Sequence, residues 1–428
     1  MTARPAVTAL ADTVLGPEHK SVPPDAWGLT AGELLAARPR LSRFQTPIFT
    51  LDRGALEHNL DEMSAWCAAR GLELAPHGKT TMSPQLWQMQ VERGASGISV
   101  ATAWQAQVAR RYGFDRILLA NELTDPVGLR WLSAELRRDP ALRFSCWADD
   151  VAQVELMTRV FDEGHADRPL DVLVELGVRG GRSGTRTVEA ATRVATAIAA
   201  APGLRLAGVA GYEGAASSDR SADGLATVQR YLDEIVALHR TLDERGLYDG
   251  RAIVTAGGSG FFELVAEAFA PLVGAVGLTG TRTSVVLRSG AYLSHDAGHY
   301  ARVSPFAQPG SPETFRAAMH VWTRVLSRPE PGLHITDAGR RDVPFDIDMP
   351  VPERVAGHPE IDVSDSRVRT LNDQHAFVDG AVELPVGSVV RLGLSHPCTA
   401  FDKWRLVPVV DDADAADPQV VDLVHLFF

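Results

Sequence analysis

Apolar positions along this chain follow two patterns in succession. From Leu74 to Ser289, short β-like runs alternate with longer stretches in which apolar residues recur every three or four positions. The short runs are Leu74–His77 (LAPH), Ile98–Ala101 (ISVA), Ile117–Asn121 (ILLAN), Phe144–Ala148 (FSCWA), Val172–Leu176 (VLVEL), Ala207–Tyr212 (AGVAGY), Ala252–Ala256 (AIVTA) and Ser284–Ser289 (SVVLRS). Between them, segments such as LEHNLDEMSAWCAARG, PQLWQMQVERG and LATVQRYLDEIVALHRTLDERG carry the helical period, and most end at glycine, which supplies the backbone of a helix C-cap. Eight β/α alternations predict an α/β fold, a closed (β/α)8 barrel, with an open doubly wound sheet as the rival. From about Ala301 the helical period fades. Short strands between Pro, Gly and Asp turns, as in LHITDAG, RVRTLNDQHAFVD, GSVVRLGLSHPC and WRLVPVVDD, predict a second, mainly antiparallel β domain over residues 301–428. The barrel is assigned to residues 46–300, behind a loosely patterned leader of residues 1–45. The run TPIFTLD, Thr46–Asp52, fits a strand of either domain and is placed with the β domain. The acidic segment Asp411–Pro418 reads as a solvated hairpin turn.

Composition acts mainly by exclusion. Of the 428 residues, 45% are apolar and 22% charged, as in ordinary globular proteins, which sets disorder and collagen-like classes aside. A net charge of -12 offers no basic field to a phosphate backbone, so no nucleic-acid partner is expected. No apolar run approaches the roughly 20 residues that span a bilayer. The first residues, MTARPAVTALADTVLG, lack the apolar core and cleavage site of a secretory signal, so a cytoplasmic location is expected. Three cysteines, Cys67, Cys146 and Cys398, argue against a disulfide framework.

Three constellations carry candidate chemistry. Lys79, in ELAPHGKTTMSP, directly follows the first barrel strand, where barrels present reactive groups and where a lysine can meet an aldehyde-bearing cofactor. Taken alone, a lysine in this position is more often an ordinary surface lysine at a strand end. His77, two residues earlier, would point to the same side, beside the cofactor ring or simply into the barrel interior. The second is TAGGSGFFELV, where the seventh strand runs into Gly257, Gly258, Ser259 and Gly260 and then a helix. Glycines admit phosphate oxygens to backbone N–H groups, and a phosphate site after strands seven and eight is recurrent in such barrels. Tyr292, in RSGAYLSHD, offers a phenol to the same phosphate, or is an aromatic at a domain junction. The third is SHPCTAFDKWR: His396 and Cys398, one residue apart, would share a face of an extended backbone and suit zinc. Two protein ligands leave open positions, as in catalytic sites.

Together these elements resemble the D-serine dehydratase and D-threonine aldolase family, alanine-racemase-like pyridoxal-phosphate enzymes of fold type III. The ordered set is PHGKT at Lys79, GGRSG at Arg182, GYEG at Tyr212, AGGSG at Gly257–Gly260, DAG at Asp337, QHAF at His375 and SHPCTAFDKW at His396 and Cys398. The resemblance implies a Schiff base on Lys79, with Arg182 and Tyr212 facing the cofactor ring. It also implies zinc on His396 and Cys398, with His375 and Asp337 delivering protons or supporting the metal site. It implies a homodimer and a D-3-hydroxy amino acid as substrate. The cysteine of His-x-Cys points to dehydration, in which D-serine would give pyruvate and ammonia. Retro-aldol cleavage to glycine and an aldehyde is the rival on the same scaffold, and a non-catalytic cofactor carrier the rival of another class.

Overall fold

The computed structural model describes residues 4–163 and 168–428. The chain divides into two compact units, one comprising Ser64–Lys79 and Gln90–Gly290, the other Met1–Met63, Thr80–Met89 and Ala291–Phe428. Strand β1 (Ile48–Asp52) belongs to the second.

Each of the eight predicted runs becomes a strand of the first unit. They are β2 (Glu73–Leu74), β3 (Ile98–Val100), β4 (Arg116–Glu122), β5 (Arg143–Ala148), β6 (Leu170–Leu176), β7 (Leu204–Gly211), β8 (Arg251–Ala256) and β9 (Arg282–Leu287). All pair in parallel, in the order β2-β9-β8-β7-β6-β5-β4-β3. A bridge between His77 and Ser99 joins the two ends of that order, with Ser99 N–H donating to the Pro76 carbonyl at 2.9 Å. The central strands are buried on both faces, which is why β6 reads as an almost unbroken apolar run. Helices supply the outer cover. The longest, Ala222–Glu244, is capped by the Ser221 hydroxyl, which accepts from Gly224 N–H, and it buries Val228, Leu232, Ile235, Leu238 and Leu242 at helical spacing.

Inside the strands, Leu118, Ala120, Trp147, Leu173, Ala207 and Ala210 form an apolar layer. Side chains alternate along a strand, so the residue two positions beyond Ala120 on the same face is Glu122, and the residue two beyond Leu173 is Glu175. The strand ends that open onto βα loops are therefore polar, and the site begins there.

The second unit holds β10 (Met319–Glu330), β11 (Leu333–Thr336), β12 (Val351–Val355), β13 (Arg367–Leu371), β14 (Ala376–Asp379), β15 (Val389–Gly393), β16 (Leu406–Val410) and β17 (Val420–His425). Its main path is β13-β14-β11-β10-β1-β16-β17, with β15 pairing β10 and β12. Apart from β1 beside β16, the pairing is antiparallel. The leader is part of this unit's core: Leu15, Val22, Ala26, Leu34, Leu41 and Phe44 pack with Ile48, Trp322, Leu406, Val420 and Leu423. The acidic turn after β16 is more than solvated surface, because Asp417 accepts from both N–H and Oγ of Ser42, at 2.9 and 2.7 Å. Among the described residues, no helix is long and apolar enough to cross a membrane.

Candidate active site

In the barrel unit, Lys79 sits in a short 3-10 turn, Gly78–Thr80, directly beyond the backbone that carries His77. That backbone is held closely: His77 N–H donates to the Arg288 carbonyl at 3.0 Å, and a Cβ at residue 290 would come within 2.5 Å of the His77 carbonyl, so only glycine fits there. The His77 ring is kept neutral, its pKa well below the usual 6.5, first by burial and then by the charges of Lys79, Arg288 and Arg182. Its Nδ1 is buried without a hydrogen-bond partner. Three cations thus act on one neutral imidazole. That surrounding suits an anionic ligand.

Arg182 lies over the Tyr212 ring, 4.7 Å from its centroid, and the same ring packs so closely on Gly258 that a Cβ there would meet it at 2.7 Å. Arg288 is buried. It donates to Thr255 Oγ1 and the Gly211 carbonyl, both at 2.6 Å, and lies over the Trp147 ring. Burial lowers its pKa while Glu213 and then Glu175 oppose the shift.

The glycine turn departs from expectation. The N–H groups of Gly257 and Gly258, assigned from sequence to phosphate, donate instead to the two carboxylate oxygens of Glu213, at 2.9 and 2.6 Å. A carboxylate fixed in the protein has taken the place foreseen for the ligand's oxygens. Ser259 and Gly260 follow, and then the helix Phe262–Phe269, whose N-cap residue Phe261 supplies no side-chain acceptor.

An acidic group escaped the sequence reading altogether. Glu122, Asp149 and Glu175, from the ends of β4, β5 and β6, bring one carboxylate oxygen each within 4.8 Å of one another. Burial, then the hydrogen bond and charge of Glu175, push the Glu122 carboxyl above the usual range, so it keeps its proton where a free glutamate would lose it. The folded protein therefore binds more protons than the unfolded chain above about pH 4.5, and stability falls as pH rises through that window. Glu122→Gln is expected to change the melting temperature little near the bottom of that window and to raise it increasingly above wild type towards alkaline pH. A melting series across pH checks this, and a difference that stays constant with pH would refute it.

In the β unit, His396 and Cys398 meet, though not on an extended backbone. His396 has φ +58°, and Cys398 opens a short helix, Cys398–Phe401. The left-handed turn is held by Asp296, whose buried carboxylate accepts from the N–H groups of His396, Gly298 and Tyr300 at 3.0, 3.0 and 2.8 Å. His396 Nδ1 bonds Asp346 at 2.5 Å, and Asp346 in turn accepts from Thr399 Oγ1 at 2.7 Å. The hydrogen bond to Cys398 is the first of several causes that raise the imidazole pKa to about 9, with Asp346 adding to it. Thr80 Oγ1 lies 3.4 Å from Cys398 Sγ. A cysteine sulfur with an imidazole whose Nδ1 is already oriented by a carboxylate is a donor set suited to zinc through sulfur and Nε2.

The other candidates are less concentrated. Tyr292 is buried in the β unit. Asp337 accepts from Thr46 Oγ1 at 2.7 Å and from Thr323 Oγ1 and Arg324 N–H at 2.8 Å each, which fits it to holding β-domain strands together. His375 is exposed in the turn between β13 and β14, where it lines a cavity with Arg340, Asn372, Asp373 and Gln374.

The donor sets fit both groups. The amine of Lys79 and the cations around an orphaned His77 Nδ1 suit an anionic aldehyde such as pyridoxal phosphate, while His396 and Cys398 suit a thiophilic metal.

Comparison with known proteins adds the lineage. Residues 318–410 match a putative serine dehydratase domain. The D-threonine aldolase of Arthrobacter sp. is 27% identical over 381 residues, 88% of this chain and 92% of that protein. The 3-hydroxy-D-aspartate aldolase of Paracoccus denitrificans (strain Pd 1222) is 28% identical over 390 residues, 90% of each. The crystal structure of D-threonine aldolase from Filomicrobium marinum superposes with a TM-score of 0.76 at 26% identity, covering 90% of this chain and 96% of that one. Residues 51–272, more than half of the chain, match the alanine racemase N-terminal domain, and with the serine dehydratase domain behind it the chain belongs to the alanine-racemase-like family of fold-type III proteins.

Proposed function

We propose that this protein is a pyridoxal-phosphate- and zinc-dependent lyase that eliminates water and then ammonia from a D-3-hydroxy amino acid such as D-serine. The observation that carries the dehydratase reading is the His396–Cys398 pair with its orienting Asp346. Pyridoxal phosphate held at Lys79 would supply an electron sink for negative charge at the substrate α-carbon. Zinc held by His396 and Cys398 would supply a Lewis acid for the 3-hydroxyl, a poor leaving group on its own.

The chain's own residues do the rest. Lys79, released when substrate amine takes its place, is the base for the α-proton. Arg182 and Arg288, the cations acting on the neutral His77, give that region a positive potential for phosphate and carboxylate, and Tyr212 with Arg182 over it forms a flat wall beside a planar ring. Asp346 fixes the His396 tautomer, leaving Nε2 for the metal.

A second reading, retro-aldol cleavage to glycine and an aldehyde, is favoured by the aldolase relatives at 26–28% identity. The two differ in the bonds that break: dehydration removes the α-proton and expels the 3-hydroxyl, whereas the retro-aldol removes the 3-hydroxyl proton and breaks the Cα–Cβ bond, leaving an α-carbon that is then protonated to give glycine. Purified protein with pyridoxal phosphate, with and without zinc, offered D- and L-serine, threonine and 3-hydroxyaspartate, should release 2-oxo acid and ammonia from the D isomers. Glycine as the main product would overturn dehydration in favour of the aldolase, and a strict L preference would sink both.

The homodimer is supported by an exposed apolar stripe on alternate residues, Phe345, Ile347, Met349 and Val351, at 38–49% exposure. Sedimentation should give twice the chain mass, and a monomer at micromolar concentration would exclude it. The three cysteines, none of them in a disulfide, support a reducing, cytoplasmic setting.

A further inference from the structure

Glu213 follows Tyr212 at the tip of β7, is 0% exposed, and has no role in the reading above. Its two carboxylate oxygens accept from two consecutive N–H groups, Oε2 from Gly257 at 2.9 Å and Oε1 from Gly258 at 2.6 Å. On the carbonyl side of the turn, Ser289 Oγ shares its one proton between the carbonyls of Gly257 at 3.2 Å and Gly258 at 2.8 Å, and Arg288 N–H also reaches the Gly257 carbonyl. Gly257, at φ +95°, is held in a backbone conformation open chiefly to glycine. The Gly257–Gly258 peptide is therefore held at both ends, its N–H by Glu213 and its carbonyl by Arg288 and Ser289.

A carboxylate this deeply buried is expensive to desolvate and stays only where hydrogen bonds to its charged form compensate; two N–H donors and the neighbouring charge of Arg288 do so here. The arrangement has a direct consequence for an anion at the turn. Phosphate oxygens cannot share two N–H groups already bound to a carboxylate, and the Glu263 and Leu264 N–H groups at the start of the helix Phe262–Phe269 meet the Glu263 carboxylate, so the donors that follow in the turn are those of Ser259 and Gly260.

Resting on the cofactor reading above, we propose that Glu213 is a positioning residue that presets the AGGSG turn for the phosphate of pyridoxal phosphate. By binding the first two N–H groups it leaves those that follow as the phosphate donors. Glutamine cannot replace it: with one acceptor oxygen and one NH2 group, it would leave a glycine N–H facing another donor.

The test compares pyridoxal phosphate with pyridoxal, which lacks the phosphate, by absorbance titration of apoprotein. Wild type should bind pyridoxal phosphate far more tightly. Glu213→Gln should weaken pyridoxal phosphate by about tenfold, as loss of one charge-assisted hydrogen bond would, while leaving pyridoxal within about twofold. Ser289→Ala, which loosens the carbonyl side of the Gly257–Gly258 peptide, should lower the same preference, and the double variant should lose less than the product of the two. An unchanged preference in a folded Glu213→Gln protein overturns the proposal and leaves the cofactor reading standing. If that variant fails to fold, an unchanged preference in Ser289→Ala overturns it instead. Wild type that does not distinguish the two ligands refutes the cofactor reading itself.

Discussion

Lys79→Ala is expected to abolish the visible absorption band of protein-bound cofactor and to lower kcat by a factor on the order of 10^3 or more, because one amine serves both as the anchor and as the base. The argument rests on where the amine sits. It lies at a strand end whose neighbouring imidazole feels Lys79, Arg288 and Arg182 together, a concentration of positive charge that suits an anionic aldehyde. Lys79→Arg separates charge from reactivity. It keeps the cation, so pyridoxal phosphate should still associate, but a guanidinium remains protonated and forms no stable imine, so the band and the turnover should both be lost. If either variant keeps the absorption band and turns over at the wild-type rate, Lys79 is not the anchoring residue, and the barrel mouth must be read again.

The second large effect is expected at the thiolate. Cys398→Ala should lower zinc affinity by more than about 100-fold, beyond the 10–100-fold typical of losing an outer hydrogen-bond partner, and should lower elimination from D-serine at least as much. The cofactor band should survive, because the residues surrounding His77 lie in the barrel unit and do not involve the sulfur. Metal analysis beside single-substrate kinetics makes the comparison. A metal-free protein with full dehydratase activity would remove zinc from the mechanism.

What the amino-acid pattern revealed, and what it hid, follows from the range of the interactions concerned. Strand runs, helix ends at glycine and the Lys79 turn are set by neighbours a few residues apart, and each of the eight runs is a strand of the barrel. The carboxylates that organise the site are different. Glu213 meets Gly257 across 44 residues, Asp346 meets His396 across 50, and Asp296 meets His396 across 100, so no local spacing announces them. Glu122 and Glu175 left one signal, an acidic residue on the inward face at the open end of a barrel strand. The His396–Cys398 pair was reached through the alternation of an extended strand, whereas the structure joins the two by a left-handed turn, which alternation does not describe. Asp337 shows the opposite case: a motif aspartate whose partners, Thr46, Thr323 and Arg324, give it enough to do within the β-domain strands.

The interleaving of the leader with β16 and β17 bears on how the chain must be made. Leu41 N–H donates to the Pro418 carbonyl and Val420 N–H to the Pro39 carbonyl, so the segment around Pro39–Leu41 waits until Pro418–Val420 has been made before these hydrogen bonds can close. During synthesis the barrel segment is complete while Leu34 and Phe44 still lack Val420 and Leu423, leaving a sticky apolar surface on the nascent chain. Losing a few residues past Pro418 would thus strip the opening segment of its shelter, and a truncated transcript should yield aggregates rather than a soluble barrel.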